Sequence, residues 1–458
     1  MDLKMNWGEA ASATGGSLLR GDPRRPFASL ATDSRRLDGG QAFWALKGER
    51  HDAHDFLGAE GAARCAGWVV ARGAPLPEKQ PPAVLAVSDT RAALALLAAA
   101  HRSRFRIPVV GITGSNGKTT VKEMLRAILA TRGQVCANAG NLNNEIGLPL
   151  SILELDASHA FAVFEMGASR PGDIRALARA AQPTAGVLTN IGPAHLEFFK
   201  SLEGTLKGKA ELIDALPPGG PAILNADDPL LARLAAGLER PVLLFGATER
   251  PGLGARALHP PAGPATGITL EVAGKRVQVP GEHYGSIHRM NAAAAAAAAL
   301  SLGFTPAEIE AGLRAFQPAP LRFAVRRHPS GAVFVVDAYN ANPASMRAGI
   351  ETFLETFPGG SRIVVLGDMK ELGPESAAMH AELGRWVGRL PLSAAFLTGE
   401  LMTGAAAAAA AAERFPVVHT PDAAALREPL RSLLQPGTAV YFKASRALAL
   451  ERLVEELG

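Results

Sequence analysis

Apolar and polar residues follow one another along this chain in blocks that favour strands followed by helices. The apolar run ending at Val110 leads into a glycine-rich turn, and the apolar residues after Thr119 recur with helical spacing. The same succession of apolar run, polar turn and helical segment repeats up to the last apolar run, near Lys443. After this run, Ser445 and Arg446 are predicted to start the terminal helix. Alternating strands and helices predict parallel sheets with helices on both faces, an α/β fold.

The pattern predicts three domains. Residues 1–106 mix short strands and helices and predict a small α/β module. Residues 107–317 predict a central domain with a parallel sheet of the phosphate-loop type, and residues 318–458 a doubly wound, Rossmann-like domain. Residues 242–279, rich in glycine and proline, are strand-like and resemble an insertion. Roughly 150 residues per domain agrees with this division.

The turn at residues 111–120, GITGSNGKTT, carries the strongest chemical signal. A glycine-rich turn ending in Lys-Thr between a strand and a helix is the context of a phosphate-binding loop. Its glycines let backbone N–H groups approach phosphate oxygens, and the helix dipole adds to the attraction. We expect Lys118 to reach the outer phosphates and the Thr119 hydroxyl to bind Mg²⁺. The strict template has glycine where this chain has Ile112.

Two further strand ends carry polar residues that fit the same site. Glu165 ends one apolar run, and His195 follows another. Open parallel sheets bind ligands beyond the carboxyl ends of their strands, and a carboxylate there is a natural Mg²⁺ ligand. Taken alone, Glu165 is an ordinary strand-terminal residue and His195 a structural histidine. The glycine-rich turn upstream favours the interpretation of Glu165 as a Mg²⁺ ligand.

Composition narrows the classes of function. The net charge of +4 is small and no dense Lys/Arg tract occurs, so we expect no nucleic-acid partner. The two cysteines give no disulfide framework, which suits a reducing compartment. The N-terminus lacks a signal-peptide core, and the alanine runs at 292–299 and 405–412 are too short to cross a bilayer. We therefore expect a cytoplasmic protein without membrane insertion.

Ten segments, in order along nearly the whole chain, resemble the Mur ligase family. They are residues 32–35, 46–56, 113–119, 141–149, 165–168, 194–197, 288–291, 337–346, 367–373 and 443–446. Ile112 belongs to the family's version of the loop. Within the family, the segment DAYNANPASM at 337–346 resembles the branch that adds D-alanyl-D-alanine. The Asp-Asn-Pro-Arg motif of the sister that adds the third residue is missing.

The resemblance implies an ATP-dependent ligase of peptidoglycan precursor synthesis. Its substrates would be ATP, UDP-N-acetylmuramoyl-tripeptide and D-alanyl-D-alanine, joined through an acyl phosphate. It implies Mg²⁺ held by Thr119, Glu165, His195 and Lys209, the lysine as a carbamate formed with CO₂; Lys207 is the alternative position. A site spanning three domains implies domain closure on ligand binding. We expect a monomer.

The resemblance also assigns the remaining site residues. The catalytic residues would be Lys118, Lys209, His195 and Glu165. The nucleotide side would be Gly114, Ser115, Asn116, Gly117, Lys118, Thr119, Thr120, His288, Asn291, Arg322 and Asp337. The UDP-sugar-peptide would contact Ser34, Arg35, Lys47, Gly48, His54, Asn143 and Asn144. The acyl-phosphate and dipeptide side would be Tyr339, Asn340, Lys443, Ser445 and Arg446. Arg322 matches a family arginine usually preceded by glycine, here Leu321.

Other interpretations stay open from the sequence. One is another Mur-type ligase, which adds diaminopimelate or lysine, or a polyglutamate ligase. A second, from a different class, is a nucleotide-dependent switch or a non-catalytic nucleotide binder. A GTPase switch needs an Asn-Lys-x-Asp motif, and the sequence has no Asn-Lys dipeptide. The third residue of the tripeptide, meso-diaminopimelate or lysine, also stays open.

Overall fold

The computed structural model describes residues 3, 5–48, 51–59, 61–193, 196–258, 267–281 and 285–458, without the side chains of residues 36 and 196. Three large, mostly parallel sheets follow one another along the described chain, each covered by helices. This architecture confirms the predicted α/β class. No helix in these ranges is long and apolar enough to cross a membrane.

The first sheet has five strands. The elements of this part are β1 (Met5–Asn6), α1 (Trp7–Thr14), β2 (Ser17–Arg20), β3 (Pro26–Phe27), β4 (Ser29–Ala31), β5 (Gln41–Trp44), β6 (Gly67–Ala71), β7 (Val84–Val87) and α2 (Thr90–Arg102). The strand order is β2-β7-β6-β5-β4, with β4 to β7 parallel and β2 antiparallel at the edge. The strands β1 and β3 form a separate antiparallel pair.

Helix α2 joins the first sheet to the second. It begins where the Asp89 carboxylate accepts hydrogen bonds from the N–H groups of Arg91 and Ala92, a typical N-cap. Its buried residues Leu94 and Leu97 belong to an apolar cluster that continues into the central part of the chain. This cluster crosses the predicted boundary at residue 106, and the two boundaries between the three domains stay predictions.

The central sheet has nine strands. The elements are β8 (Val109–Thr113), α3 (Lys118–Leu129), β9 (Gln134–Ala137), α4 (Gly147–Ile152), β10 (His159–Glu165), α5 (Asp173–Ala181), β11 (Ala185–Leu188), α6 (Leu196–Phe199), α7 (Leu202–Asp214), β12 (Ala222–Asn225), α8 (Pro229–Ala236), β13 (Val242–Gly246), β14 (Leu253–Ala257), β15 (Ile268–Val272), β16 (Lys275–Val279), α9 (Ser286–Ser301) and α10 (Pro306–Ala315). The order is β16-β15-β14-β13-β12-β11-β8-β10-β9.

The interpretation of residues 242–279 as an insertion was wrong. The strands β13 and β14 extend the parallel sheet beyond β12, and β15 and β16 complete its edge as an antiparallel hairpin. Their alternate residues, such as Leu270 and Val272, are buried against the helices of one face. These strands are therefore part of the central core.

Helices cover both faces of the central sheet, as the pattern predicted. Residues of α4, α5 and α7 lie in the apolar cluster on one face, and those of α3, α9 and α10 in the cluster on the other. The eight alanines 292–299 of α9 are all buried. Their small side chains let this helix lie close to the strands and to α3.

The third sheet has six strands. The elements are β17 (Ala324–Arg327), β18 (Val333–Val336), α11 (Pro343–Thr356), β19 (Ser361–Gly367), α12 (Ser376–Val387), β20 (Ala394–Thr398), α13 (Thr403–Ala410), β21 (Val417–Thr420), α14 (Arg427–Arg431), β22 (Thr438–Lys443) and α15 (Glu451–Leu457). The order is β17-β18-β22-β19-β20-β21, parallel except for β17.

The last helix begins later than the sequence predicted. We expected it at Ser445, but the backbone N–H and the hydroxyl of Ser445 both donate to the carbonyl of Asp368. A short 3-10 turn at Arg446–Leu448 follows, and α15 begins only at Glu451. The tertiary hydrogen bonds to Asp368 hold this segment out of the helix.

Candidate functional site

The glycine-rich turn joins β8 to α3 at the carboxyl edge of the central sheet. Gly114 has φ +151° and Gly117 has φ +82°, a range that L side chains rarely adopt. A Cβ atom on Gly114 would lie 1.9 Å from Oγ1 of Thr189, and one on Gly117 would lie 2.4 Å from Oδ1 of Asn291. Both positions therefore require glycine for their conformation and for the close approach of their neighbours.

The segment after β11 forms hydrogen bonds with the glycine-rich turn. The N–H groups of Ser115 and Asn116 donate to the carbonyl and the side-chain oxygen of Asn190, both at 2.9 Å. The Thr189 hydroxyl donates to the Asn116 carbonyl at 2.6 Å, and the Ser115 hydroxyl to the Gly192 carbonyl at 3.1 Å. Sequence reasoning missed Thr189 and Asn190, although the end of β11 was expected at this edge.

Lys118 folds back over the turn. Its Nζ donates to the carbonyls of Gly114 at 2.9 Å and Ser115 at 3.3 Å. Burial lowers the pKa of Lys118, the Glu165 carboxylate opposes that shift, and the Arg322 charge adds to it. The ammonium group therefore lies against the backbone of the turn, and its phosphate contact stays a prediction.

Thr119, in the first turn of α3, meets Glu165 at the end of β10, the strand that pairs in parallel with β8. The Thr119 hydroxyl donates to Oε2 of Glu165 at 2.8 Å, and Nδ2 of Asn143 donates to Oε1 at 2.7 Å. The structure thus brings Asn143, predicted as a substrate contact, to the predicted metal ligand Glu165. Asn144 instead accepts backbone hydrogen bonds from Ile146 and Gly147, where α4 begins.

A hydroxyl beside a carboxylate fits Mg²⁺. This ion usually takes one or two carboxylates from the protein and fills its other positions with water and phosphate oxygens. The described residues contain no group of three or more His, Cys, Asp or Glu side chains able to hold a metal. His195, the predicted third ligand, lies outside the described residues.

Lys209 and Lys207, the two candidates on α7, lie in different environments. Lys209 is 2% exposed, whereas Lys207 lies on the surface. Burial, together with the charge of Lys118, holds the pKa of Lys209 well below its usual value. The side chain of Lys209 is therefore the interior amine that the predicted role requires, and that role stays a prediction.

Two residues of α9 lie beside the loop. The side-chain oxygen of Asn291 is the group nearest to Gly117, and its buried Nδ2 has no hydrogen-bond partner in the described structure. Buried donors are normally bonded, so this amide fits a polar ligand in the loop. His288 is buried and meets the ring of Phe323 edge-on, with the ring centres 5.3 Å apart. Burial lowers the pKa of His288 to about 4, so its ring is neutral at neutral pH.

Arg322 extends from the third part of the chain to the loop. Its Nη2 donates to Oγ1 of Thr119 at 3.2 Å, and its guanidinium lies 3.8 Å above the ring centre of Tyr339. The flanking residues Leu321 and Phe323 have φ +62° and +54°. A left-handed backbone at Leu321 explains why glycine suits this position in the resembling family.

Asn342 makes a second contact to the loop. Its Nδ2 donates to Oδ1 of Asn116 at 2.9 Å, while its Oδ1 accepts from the N–H of Ser345 and caps α11. Asn342 lies in the segment 337–346 that resembles the Mur ligases, but no role is predicted for it from the sequence. An Asn-Pro pair before a helix signals a cap, and nothing local signals the loop contact.

Asp337 forms an ion pair with the buried Lys443. Nζ of Lys443 donates to Oδ2 of Asp337 at 2.6 Å and to the Asn340 carbonyl at 3.1 Å. The Tyr441 hydroxyl donates to the same Asp337 oxygen at 2.9 Å. The sequence assigned Asp337 to the ribose and Lys443 to the dipeptide side, and the structure pairs them with each other. Farther along, the guanidinium of Arg446 pairs with Glu451.

Short 3-10 turns within residues 1–106 carry three of the predicted UDP-sugar-peptide residues, Ser34, Arg35 and His54. Arg35 pairs with Asp33 at 2.8 Å, and 86% of its side chain is exposed. Ser34 begins the same short 3-10 turn. The His54 ring is bonded on both sides, because Nδ1 contacts the Asp52 carboxylate and Nε2 accepts from the N–H of Ala71 at 2.9 Å. Both ring nitrogens of His54 therefore contact residues within the first module, residues 1–106.

Arg91 connects this module to the central part. Its Nε donates to the Lys47 carbonyl at 3.0 Å, and its Nη1 donates to Oε1 of Glu145 at 2.6 Å. The N–H of Gly48 donates to the His51 carbonyl at 2.8 Å. The turn that carries Lys47 and Gly48 is thus fastened to the segment that follows Asn143.

Comparison with known proteins agrees with this arrangement. The model of the Mur ligase middle domain matches residues 112–299, and that of the Mur ligase glutamate ligase domain matches residues 321–446. The UDP-N-acetylmuramoyl-tripeptide--D-alanyl-D-alanine ligases of Bacillus subtilis and Escherichia coli are 35% and 36% identical to this chain. They match 93% and 94% of it, and 92% and 93% of their own lengths.

Solved structures give the same result. A crystal structure of MurF from Acinetobacter baumannii superposes with a TM-score of 0.88 at 33% identity, covering 99% of this chain and 98% of its own. The MurF ligase from Thermotoga maritima in complex with ADP has a TM-score of 0.81 at 32% identity, covering 94% and 96%. With relatives at this identity over almost its full length, the chain belongs to the Mur ligase family.

Proposed function

We propose that this chain joins D-alanyl-D-alanine to UDP-N-acetylmuramoyl-tripeptide with the cleavage of ATP to ADP and phosphate, in the synthesis of peptidoglycan precursors. One observation carries the proposal. Arg322, from residues 318–458, donates a hydrogen bond to Thr119 at the end of the glycine-rich turn, and Thr119 donates one to Glu165. This contact occurs in a chain that matches ligases of this name over more than nine-tenths of its length. We also propose that the enzyme acts in the cytoplasm as a monomer.

The first step brings two anions together. A terminal carboxylate oxygen of the tripeptide attacks the γ-phosphorus of ATP, the bond to the ADP oxygen breaks, and an acyl phosphate forms. Fixed positive charge lowers the barrier of such a transfer. Lys118 and Arg322 are placed to supply it, with the N–H groups of the loop. Asn291 and His288 would contact the nucleotide.

Thr119 and Glu165 would hold Mg²⁺, with His195 and Lys209 as the further predicted ligands. When bound, the ion neutralises charge on the phosphates. Lys209 suits its predicted modification, because a neutral amine is the form that attacks CO₂. The N–C bond forms, the nitrogen proton leaves to solvent, and the resulting carbamate is an anion.

In the second step the amine of the dipeptide attacks the carbonyl carbon of the acyl phosphate. The amine loses its proton, the C–O bond breaks, and phosphate leaves with one oxygen of the original carboxylate. Tyr339, Asn340, Ser445 and Arg446 are the residues proposed to line this side. The bonds of Arg322 and Asn342 to the loop support closure of the third part over the site, which would keep water from the acyl phosphate.

A dropout assay tests the proposal. Phosphate release is measured with ATP, UDP-N-acetylmuramoyl-tripeptide and D-alanyl-D-alanine, and each is omitted in turn. We expect release only when all three are present, and no release when diaminopimelate, lysine or glutamate replaces the dipeptide. Release that does not depend on the dipeptide would overturn the assignment. Tripeptides ending in meso-diaminopimelate and in lysine, supplied separately, identify the third residue.

A further inference from the structure

The ammonium group of Lys122 is wholly buried behind the loop, one helical turn after Lys118. Burying a charge costs free energy unless the charge is paired and hydrogen-bonded. An apolar residue at such a position usually gives the folded protein at least the same stability. Lys122 pairs with Glu123 at 3.0 Å. Burial would raise the pKa of Glu123, but Lys122 and Arg126 together hold it below its usual value. The Glu123 carboxylate therefore stays ionised beside the buried Lys122.

The other partners of Lys122 are backbone carbonyls. Nζ donates to the carbonyl of Asn138, and at 3.4 Å to that of Gly140. These residues begin the turn at 138–144, which joins β9 to α4 and crosses the end of β10. A methyl group in place of the ammonium would leave the Asn138 carbonyl without this partner. The ammonium group therefore stabilises the turn by hydrogen bonding.

The same turn holds Glu165 at several points. The Asn138 side chain accepts from the N–H of Glu165 at 2.9 Å and donates to its carbonyl at 3.1 Å. Nδ2 of Asn143 donates to the carboxylate at 2.7 Å, and the Asn143 carbonyl accepts from the N–H of Gly167. The backbone and one carboxylate oxygen of Glu165 are thus fixed by the turn that Lys122 fastens to α3.

We propose that Lys122 is a positioning residue, which acts through this turn to aim the Glu165 carboxylate at Thr119 for Mg²⁺. The inference rests on the proposed function, in which Thr119 and Glu165 hold the ion. The groups that orient a metal ligand typically contribute 10- to 100-fold to metal affinity. Lys122 lies on α3, the helix that begins with Lys118 and Thr119. One helix therefore positions Thr119 directly and the Glu165 carboxylate indirectly, through the turn at 138–144.

The test is binding of ADP, by calorimetry, to Lys122→Met, with Lys275→Met as the control because Lys275 lies exposed on β16. Each protein is titrated with ADP in EDTA and with ADP in excess Mg²⁺. We expect Lys122→Met to bind ADP in EDTA like the wild type and to lose about tenfold of the gain that Mg²⁺ gives. The control should keep the whole gain.

If Lys122→Met loses the same factor of ADP affinity in both buffers, the substitution has only damaged the loop. If Mg²⁺ raises its ADP affinity as much as that of the wild type, Lys122 does not position the metal ligand. Either result overturns the inference. Asn138→Ala, which removes the hold on the Glu165 backbone and leaves α3 intact, should give the same loss and replaces Lys122→Met if that variant does not fold. If Mg²⁺ gives the wild type no gain, the proposed metal site fails and this inference with it. A wild-type gain kept by both variants defeats this inference alone.

Discussion

The side-chain amide of Asn342 bonds two parts of the chain at once: its nitrogen donates to Oδ1 of Asn116 in the glycine-rich turn, and its oxygen caps helix α11. A side chain used in this way ties the orientation of α11 to the conformation of the loop. Arg322 makes the neighbouring contact to Thr119. Arg322 and Asn342 thus connect residues 318–458 to the loop through two hydrogen bonds.

Replacing Asn342 with alanine should therefore lower both stability and activity. Loss of a cap costs about 1 kcal/mol, and loss of the hydrogen bond to the loop should reduce kcat/KM for ATP about fivefold. Thermal unfolding and phosphate release measure the two effects. Asn6→Ala is the matched control, because Asn6 caps α1 in the same way and lies far from the loop in the first module. It should lower Tm similarly and leave kcat/KM unchanged, and equal kinetics in both variants would contradict the link.

The glycines at the starts of α3 and α5 give a second matched pair. Gly117 and Gly172 both precede a helix with a left-handed backbone, φ +82° and +94°, but only Gly117 has a close neighbour, Oδ1 of Asn291. Alanine at either position should cost about 1 kcal/mol of conformational strain. Only Gly117→Ala should also lose ADP binding, because its methyl group displaces Asn291. Tight ADP binding by Gly117→Ala would show that the loop does not hold the nucleotide.

The two lysines of α7 should respond differently to removal. Lys209→Ala should lose nearly all ligase activity, and a short carboxylic acid such as acetate should restore part of it by replacing the carbamate. Lys207→Ala should keep wild-type activity, because Lys207 is exposed. Phosphate release by both variants, with and without acetate, is the measurement. Full activity of Lys209→Ala would remove the carbamate from the account.

His288 should make the protein sensitive to mild acid. Its pKa is about 4 in the folded protein, because it is buried, and near 6.5 when unfolded. Below pH 6.5 the unfolded chain gains a proton that the folded chain does not, so stability falls as pH drops from 6.5 towards 4. Between pH 7 and pH 5 this amounts to about 2 kcal/mol. The Tm of His288→Gln should fall less over that interval than the wild-type Tm, and an equal fall would contradict the burial argument.

Local signals in the sequence predicted the centre of the fold well. The strand, turn and helix around the glycine-rich turn were predicted in the right order, because apolar spacing and glycine position determine them. The strand β8 extends to Thr113, beyond the apolar run that ends at Val110. The strand end at Glu165 was also predicted, because a carboxylate that follows a buried run is visible in one segment. The α/β class follows from the same alternation.

What the sequence did not predict depends on contacts between distant segments. Asn342 and Asn116 are far apart in the chain, as are Lys443 and Asp337, and no local pattern says that they meet. Lys122 fits an ordinary helical pattern, and only the turn packed against it explains a buried charge there. The start of α15 was wrong for a similar reason, because Ser445 bonds a carbonyl on another strand end.

The most direct test of the central claim follows an oxygen atom. UDP-N-acetylmuramoyl-tripeptide labelled with ¹⁸O in its terminal carboxylate is incubated with ATP, D-alanyl-D-alanine and the enzyme, and the phosphate released is analysed by mass spectrometry. An acyl phosphate formed at this site predicts one labelled oxygen in each phosphate and an equal amount of extended peptide product. Unlabelled phosphate, or labelled phosphate without the product, would contradict the account.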